Sequence, residues 1–126
     1  MPYVIDASVL MALLRREPGW EAAEARAEGA IMSAVNASEA LMRSVEKGFT
    51  EATVLLLVAD RQIAVAPFDA DLAVSTARLR PATKRLGLSF ADRACIATAL
   101  RLDATIVTAD RAWAGLDLPC AVELIR

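Results

Sequence analysis

The feature that most restricts this chain is the alternation of short β-prone runs with longer stretches of helical apolar spacing. Tyr3-Val4-Ile5-Asp6 reads as a strand, and Ser8 to Arg16 follows with Val9, Leu10, Leu13 and Leu14 spaced along one helical face. Pro18-Gly19 breaks the chain before an Ala/Glu-rich helix from Trp20 to Ala27 that Gly29 ends. Ala30 to Ser33 has the look of a buried strand and leads into a helix from about Ala37 to Lys47, closed by Gly48. Thr50 caps another helix through Asp60, and Ile63 to Ala66 is strand-like. Asp69 to Arg80 is predicted as a helix that Pro81 stops, and Ala82 to Leu88 as a basic connector ending in Gly87. A helix from Ser89 to Leu102, a strand over Thr105 to Thr108, a helical turn from Asp110 to Ala114 and a strand over Ala121 to Leu124 complete the chain. Parallel strands need crossover connections, usually helices, so this order predicts one α/β domain over residues 1–126 with a mainly parallel sheet covered on both faces.

Composition narrows the chemistry. The 126 residues suffice to bury a core without staples, and the two cysteines, Cys95 and Cys120, have neither disulfide-framework nor zinc-ligand spacing. Cys95 is expected to be core. The early Asp6 and Arg15-Arg16 fit no secretory signal, and the longest apolar run, Val54 to Ala59, is too short to span a bilayer. A soluble, reducing, cytoplasmic setting without membrane contact is the expectation. The formal charge of −2 means that contact with nucleic acid would have to be local. Histidine is absent, which removes the commonest general acid/base and the usual partner of a Ser or Cys nucleophile. An enzyme built from this chain must work through carboxylates.

In open α/β sheets, ligands bind beyond the carboxyl ends of the strands, where the connections diverge. Asp6 ends the first strand, Asp110 follows the Thr105 to Thr108 strand, and Glu39 is expected in the first turn of the helix leaving the Ile31 strand. Asp92 lies in the first turn of the Ser89 helix, which reaches the same rim if its chain enters the next strand from the opposite end. Each acid has a purely structural reading as well. Asn36-x-x-Glu39 and Ser89-x-x-Asp92 both have the form of a capping box, Asp6 can cap the following helix, and Asp110 can be a turn residue. Four carboxylates at one rim would repel one another and raise one another's pKa values unless a cation sat among them. Mg²⁺ suits such oxygen donors, with Mn²⁺ as a substitute, and the chemistry that follows is phosphodiester hydrolysis.

These residues resemble the PIN-domain nucleases, and within them the VapC toxins of bacterial toxin–antitoxin pairs. The resemblance rests on Val4-Ile5-Asp6-Ala7-Ser8, Ser33-x-x-Asn36-x-Ser38-Glu39, Gly87-Leu88-Ser89-x-x-Asp92-Arg93-x-Cys95 and Thr105-x-Val107-Thr108-x-Asp110, and it spans nearly the whole chain. It implies a Rossmann-like three-layer α/β/α sandwich with a parallel sheet of four or five strands. It implies a catalytic set of Asp6, Glu39, Asp92 and Asp110, with Asp6, Asp92 and Asp110 as metal ligands. The hydroxyl position beside the last acid falls on Thr108, a partner for a metal-bound water or a neighbouring carboxylate. Ser8 and Asn36 could serve similarly, or simply start helices.

The resemblance also implies a homodimer, and an antitoxin of VapB type that covers the active site and alone contacts operator DNA. The segment Ala37 to Asp60, with Leu41, Met42, Val45, Phe49 and Val54 to Val58, could groove a partner helix, pack on the sheet or form a dimer contact. For an RNA substrate, whether tRNA, rRNA or mRNA, the densest basic cluster is Arg78, Arg80, Lys84 and Arg85; Arg15, Arg16, Arg43, Lys47, Arg93 and Arg111 could add to a rim, and a solvated helix face is the duller account. No stacking platform is visible among the aromatics, so selection would fall to loop shape and splayed bases. The rivals are a housekeeping PIN nuclease without an antitoxin, a non-catalytic scaffold, and an aspartyl-phosphate phosphotransfer protein. The last wants a Lys near a later strand end, and neither Lys47 nor Lys84 is so placed.

Overall fold

The computed structural model describes residues 2–126. Five strands, β1 (Tyr3–Ile5), β2 (Ile31–Ser33), β3 (Ala64–Ala66), β4 (Thr105–Thr108) and β5 (Val122–Leu124), form one sheet in the order β3-β2-β1-β4-β5. Every pairing is parallel, with Val4 opposite Ile31, Ile5 opposite Val107, and Thr108 opposite Leu124. All five carboxyl ends therefore meet at one rim. The chain leaves β1 toward β2 and β3 on one side and returns through β4 and β5 on the other, so the switch of direction lies between β1 and β4.

Among the described residues seven helices flank the sheet: α1 (Ala7–Arg15), α2 (Trp20–Ala27), α3 (Ala34–Glu46), α4 (Glu51–Asp60), α5 (Ala70–Arg78), α6 (Arg80–Thr83) and α7 (Phe90–Leu102). Alternate strand residues point to opposite faces, and the core divides accordingly. Ile5, Met32 and Val107 pack with Val9 and Leu10 of α1, Ala23 of α2, Ala40 of α3 and Val54 of α4. Val4 and Ile106 turn the other way, against Leu72 of α5, Cys95 and Ile96 of α7, and Trp113. Each fully buried aliphatic side chain of this kind contributes about 1.5–3 kcal/mol, which makes the centre of the sheet its most stable part. The result is the three-layer α/β/α architecture expected from the alternation of elements. Among the described residues no helix is long and apolar enough to cross a membrane.

Polar caps set the helix starts. The side chains of Asp6, Ser33, Thr50, Asp69 and Ser89 each accept a backbone N–H from the first turn that follows, worth about 1 kcal/mol apiece. Ser89 and Asp92 form the expected reciprocal capping box. Asn36 does not begin a helix: α3 starts three residues before Ala37 because Ser33 takes the cap, which puts Asn36 inside the helix and buried. Pro81 does not stop a helix either. It lies in the first turn of α6, where its missing N–H leaves no intrahelical bond unmade. The basic connector is consequently helical, as α6 and the 3₁₀ turn Lys84–Leu86, ended by Gly87 at φ +69°.

The apolar residues between Leu41 and Val58 divide between the core and the surface. Val54 is buried, and Leu41, Phe49, Leu57 and Val58 pack on the sheet-side core. Met42, Val45, Leu55 and Leu56 are exposed.

Candidate active site

A cavity of about 240 Å³ opens at the carboxyl rim, and Asp6, Glu39, Asp92 and Asp110 all line it. The sheet explains how residues so far apart in sequence meet there. Asp6 directly follows β1, Asp110 follows β4 by two residues, α3 carries Glu39 away from β2, and the start of α7 delivers Asp92 before the chain enters β4 from the opposite end. The structural and chemical readings of the acids turn out to be compatible. One oxygen of Asp92 accepts the Ser89 N–H at 2.8 Å, and one oxygen of Asp110 accepts the Ala112 N–H at 3.0 Å. A carboxylate has about four lone-pair sites, so capping fixes each group while leaving acceptor capacity for a ligand.

Asp6 is the best-anchored acid, at 4% exposure. Its Oδ1 accepts from the Val9 N–H at 3.3 Å and from the Ser8 hydroxyl, and its Oδ2 accepts from the Thr108 hydroxyl at 2.6 Å. Backbone amides orient both hydroxyls. The Ala109 N–H donates to Ser8 Oγ at 2.9 Å and the Asp110 N–H donates to Thr108 Oγ1 at 3.1 Å, so each hydroxyl proton is directed to Asp6. Ser8 therefore belongs to a network that ties β1 to the end of β4, and its place in α1 is not its only task. Asn36 does not line the cavity; its amide donates to the Ala91 carbonyl at 3.0 Å, joining α3 to the first turn of α7, the two helices that carry Glu39 and Asp92.

Electrostatics follow from the burial. Burial pushes the Asp6 carboxyl up to about 6, against the opposing hydrogen bonds from Ser8, Thr108 and Val9, and the charge of Asp92 adds to the rise. Glu39 is raised as well, chiefly by partial burial, with the charge of Arg43 opposing and that of Asp92 reinforcing it. Cys95 is fully buried, and its thiol is pushed well above the ordinary range, which fits a core residue.

Among the described residues, no three acids stand together as a ready-made set of direct metal ligands. The donor set nevertheless fits a hard divalent ion. Mg²⁺ commonly keeps several of its waters and takes one or two carboxylates directly, so separated oxygen donors around a roomy cavity suit it better than a tight cage would.

The four basic residues Arg78, Arg80, Lys84 and Arg85 are exposed on α5, α6 and the 3₁₀ turn, outside the cavity lining. Of the elements that carry them, the 3₁₀ turn packs against the turn that follows Asp110. Two other arginines do line the cavity, Arg43 and Arg126. Arg126 carried a sequence signal that counting basic clusters passes over: it follows the last strand by two residues, the same offset by which Asp110 follows β4.

A parallel, doubly covered sheet with four carboxylates at its topological switch point defines a Rossmann-like α/β protein with an acidic pocket. A family model for the PIN domain matches residues 3–118, and the chain belongs to the PIN-domain family. Its structure is similar to a chain of a toxin–antitoxin complex from Klebsiella pneumoniae, at 17% identity and TM-score 0.78 over 98% of either chain. It is similar also to FitAcB from Neisseria gonorrhoeae, at 25% identity and TM-score 0.65 over 98% of this chain and 97% of that one. A third is VapC20 of Mycobacterium tuberculosis, a Sarcin-Ricin loop cleaving toxin, at 15% identity and TM-score 0.69 over 90% of this chain and 95% of that one. A search of curated proteins found no match.

Proposed function

We propose that the chain is a VapC-like toxin, a Mg²⁺-dependent endoribonuclease that hydrolyses phosphodiester bonds in single-stranded or loop regions of RNA. The observation that carries this reading is the convergence of Asp6, Glu39, Asp92 and Asp110 on one cavity in a PIN domain. Asp6, Asp92 and Asp110 would hold the cation, with Mn²⁺ as a substitute. Bound there, it would neutralise charge on the phosphoryl oxygen and acidify a water. The protein's own part is positional. Ser8 and Thr108 keep Asp6 aimed, the capping box fixes Asp92, and the raised pKa of Glu39 suits it to take up the proton that the attacking water gives up.

The toxin role is supported by the structures this chain is similar to, a toxin–antitoxin complex and an RNA-cleaving toxin among them. It brings with it a VapB-type antitoxin partner, operator DNA contacted only through that antitoxin, a homodimer and a cytoplasmic site of action. Incubating the purified protein with a structured RNA in Mg²⁺ or Mn²⁺ tests the enzyme. Cleavage that a chelator stops and Asp6→Asn abolishes supports it; equal cleavage by the Asp6→Asn protein, or none by the parent, sinks it. Copurification with the product of a short neighbouring gene separates the toxin from a housekeeping nuclease.

A further inference from the structure

Two guanidinium groups face the acidic cavity, Arg43 from α3 and Arg126 from the segment after β5, and the roles assigned above leave both unused. Arg126 is held there by several contacts. The Ile125 N–H donates to the Thr108 carbonyl at 3.0 Å, carrying the β4–β5 ladder one residue past the strand. Arg126 Nη1 donates to the Pro18 carbonyl at 2.9 Å, and Glu17 lies 3.8 Å away. Gly19, at φ +92°, approaches so closely that a Cβ there would stand 2.3 Å from the Ile125 carbonyl oxygen. The turn between α1 and α2 is thus shaped to admit the backbone that carries Arg126.

This anchoring leaves the guanidinium capacity to spare. It has five N–H donors, one is given to Pro18, and at 3.8 Å the approach of Glu17 is too long for a hydrogen bond. The side chain is 35% exposed. Arg43 lies one helical turn beyond Glu39 and has no ion-pair partner among the described residues. The two cations flank Asp6 from opposite directions, because α3 leaves β2 on one side of β1 while β5 lies beyond β4 on the other. From β2 to β5 is three strand spacings, roughly 14 Å. An anionic strand entering a cavity of four carboxylates needs cations on its walls, and these two supply them.

We propose that Arg43 and Arg126 clamp the backbone phosphates on either side of the RNA linkage that is cut. The clamp rests on the ribonuclease reading above and adds substrate-positioning residues to it. Arg126→Gln is the informative change, since a Gln amide can still donate toward Pro18 while the charge is gone.

The test uses the Asp6→Asn protein as parent, with short labelled single-stranded RNA titrated by fluorescence anisotropy at several salt concentrations. Arg43→Gln and Arg126→Gln should each weaken binding about tenfold at low salt, as expected when a charge-assisted hydrogen bond to phosphate is removed. Each should also reduce the slope of log K against log salt by ~0.7, and the pair together by about 1.4. Glu17→Gln, which leaves Arg126 in place, should keep the parent's slope. Unchanged slopes in both arginine variants overturn the clamp, and a lowered melting temperature of Arg126→Gln with an unchanged slope reduces that residue to a tie between chain segments. Metal-dependent cleavage by the wild type is measured in parallel. Its absence, together with failure of the parent to bind RNA, overturns the ribonuclease reading, whereas cleavage with unchanged slopes overturns the clamp alone.

Discussion

The Thr108 hydroxyl donates to Asp6 Oδ2 at 2.6 Å, joining residues 102 positions apart, and the Asp110 N–H, donating to the same hydroxyl at 3.1 Å, directs that proton. Thr108→Val keeps the shape of the side chain and removes this bond. Burial of Asp6 is then less opposed, so its pKa rises above the value of about 6. A hydrogen bond to a charged group is worth about 1.5–3 kcal/mol, equivalent to roughly one to two pH units. Under the proposed function the active form of Asp6 is the carboxylate, present above its pKa, so the acid limb of the cleavage profile should move to higher pH. Thr108→Ser should restore it. A Thr108→Val profile superimposable on the wild type would show that the hydroxyl does not tune Asp6.

Asp6 should destabilise the metal-free protein at neutral pH. Its folded pKa of about 6 lies above the ordinary 3.8, so the folded state binds more protons across that interval. The stability associated with this group is fully present below pH 3.8 and is lost as pH rises through about 6, a loss of up to about 3 kcal/mol. Asp6→Asn keeps a competent helix cap and removes the charge. In chelator at pH 7, its urea midpoint should exceed that of the wild type, and the advantage should disappear near pH 4. A wild type equal to or more stable than Asp6→Asn at pH 7 contradicts the burial cost.

A cation that binds only the assembled rim stabilises the fold by mass action, by about 2.7 kcal/mol at a hundred times its Kd. For a chain of this length that is a rise on the order of 10 °C in Tm. Mn²⁺ should produce such a rise in the wild type and a much smaller one in Asp92→Asn, whose amide oxygen can still complete the capping box with Ser89. Equal shifts in the two proteins would remove Asp92 from the ligand set.

The exposed cluster Arg78, Arg80, Lys84 and Arg85 stands outside the cavity lining. Replacing all four with Ala should weaken RNA binding and lower the salt slope by about 3, at ~0.7 for each phosphate that is no longer neutralised. Cleavage at saturating RNA should persist. If the slope is unchanged, the cluster is a solvated helix face.

The convergence of the acids on one cavity was legible in the sequence because each stands at a position with a local signature: just after a β-branched run for Asp6 and Asp110, or three residues beyond a polar cap for Asp92. Glu39 was found at a small error of frame, since the cap of its helix is Ser33 and Asn36 instead reaches across to the Ala91 carbonyl. Pro81 misled for a related reason: whether proline stops a helix or opens one depends on where the preceding helix frays, and α5 ends at Arg78, before proline can interrupt it. Arg126 was missed because its place depends on Pro18, 108 residues away, and on a glycine whose value lies in the side chain it lacks.

The central position of β1 has a consequence for timing. Its partner β4, together with Thr108, Asp110 and the Ser8 tie to Ala109, belongs to the last quarter of the chain. A ribosome adding 5–20 residues per second needs roughly 5–20 s to go from Asp6 to that strand. Until then the nascent chain has Asp6 and Ser8 but neither the Thr108 hydroxyl nor the fourth carboxylate. Synthesis and assembly of the pocket are thus separated by the topology of the sheet: the first acid is made early, and the pocket cannot exist until the strand beside it has been made.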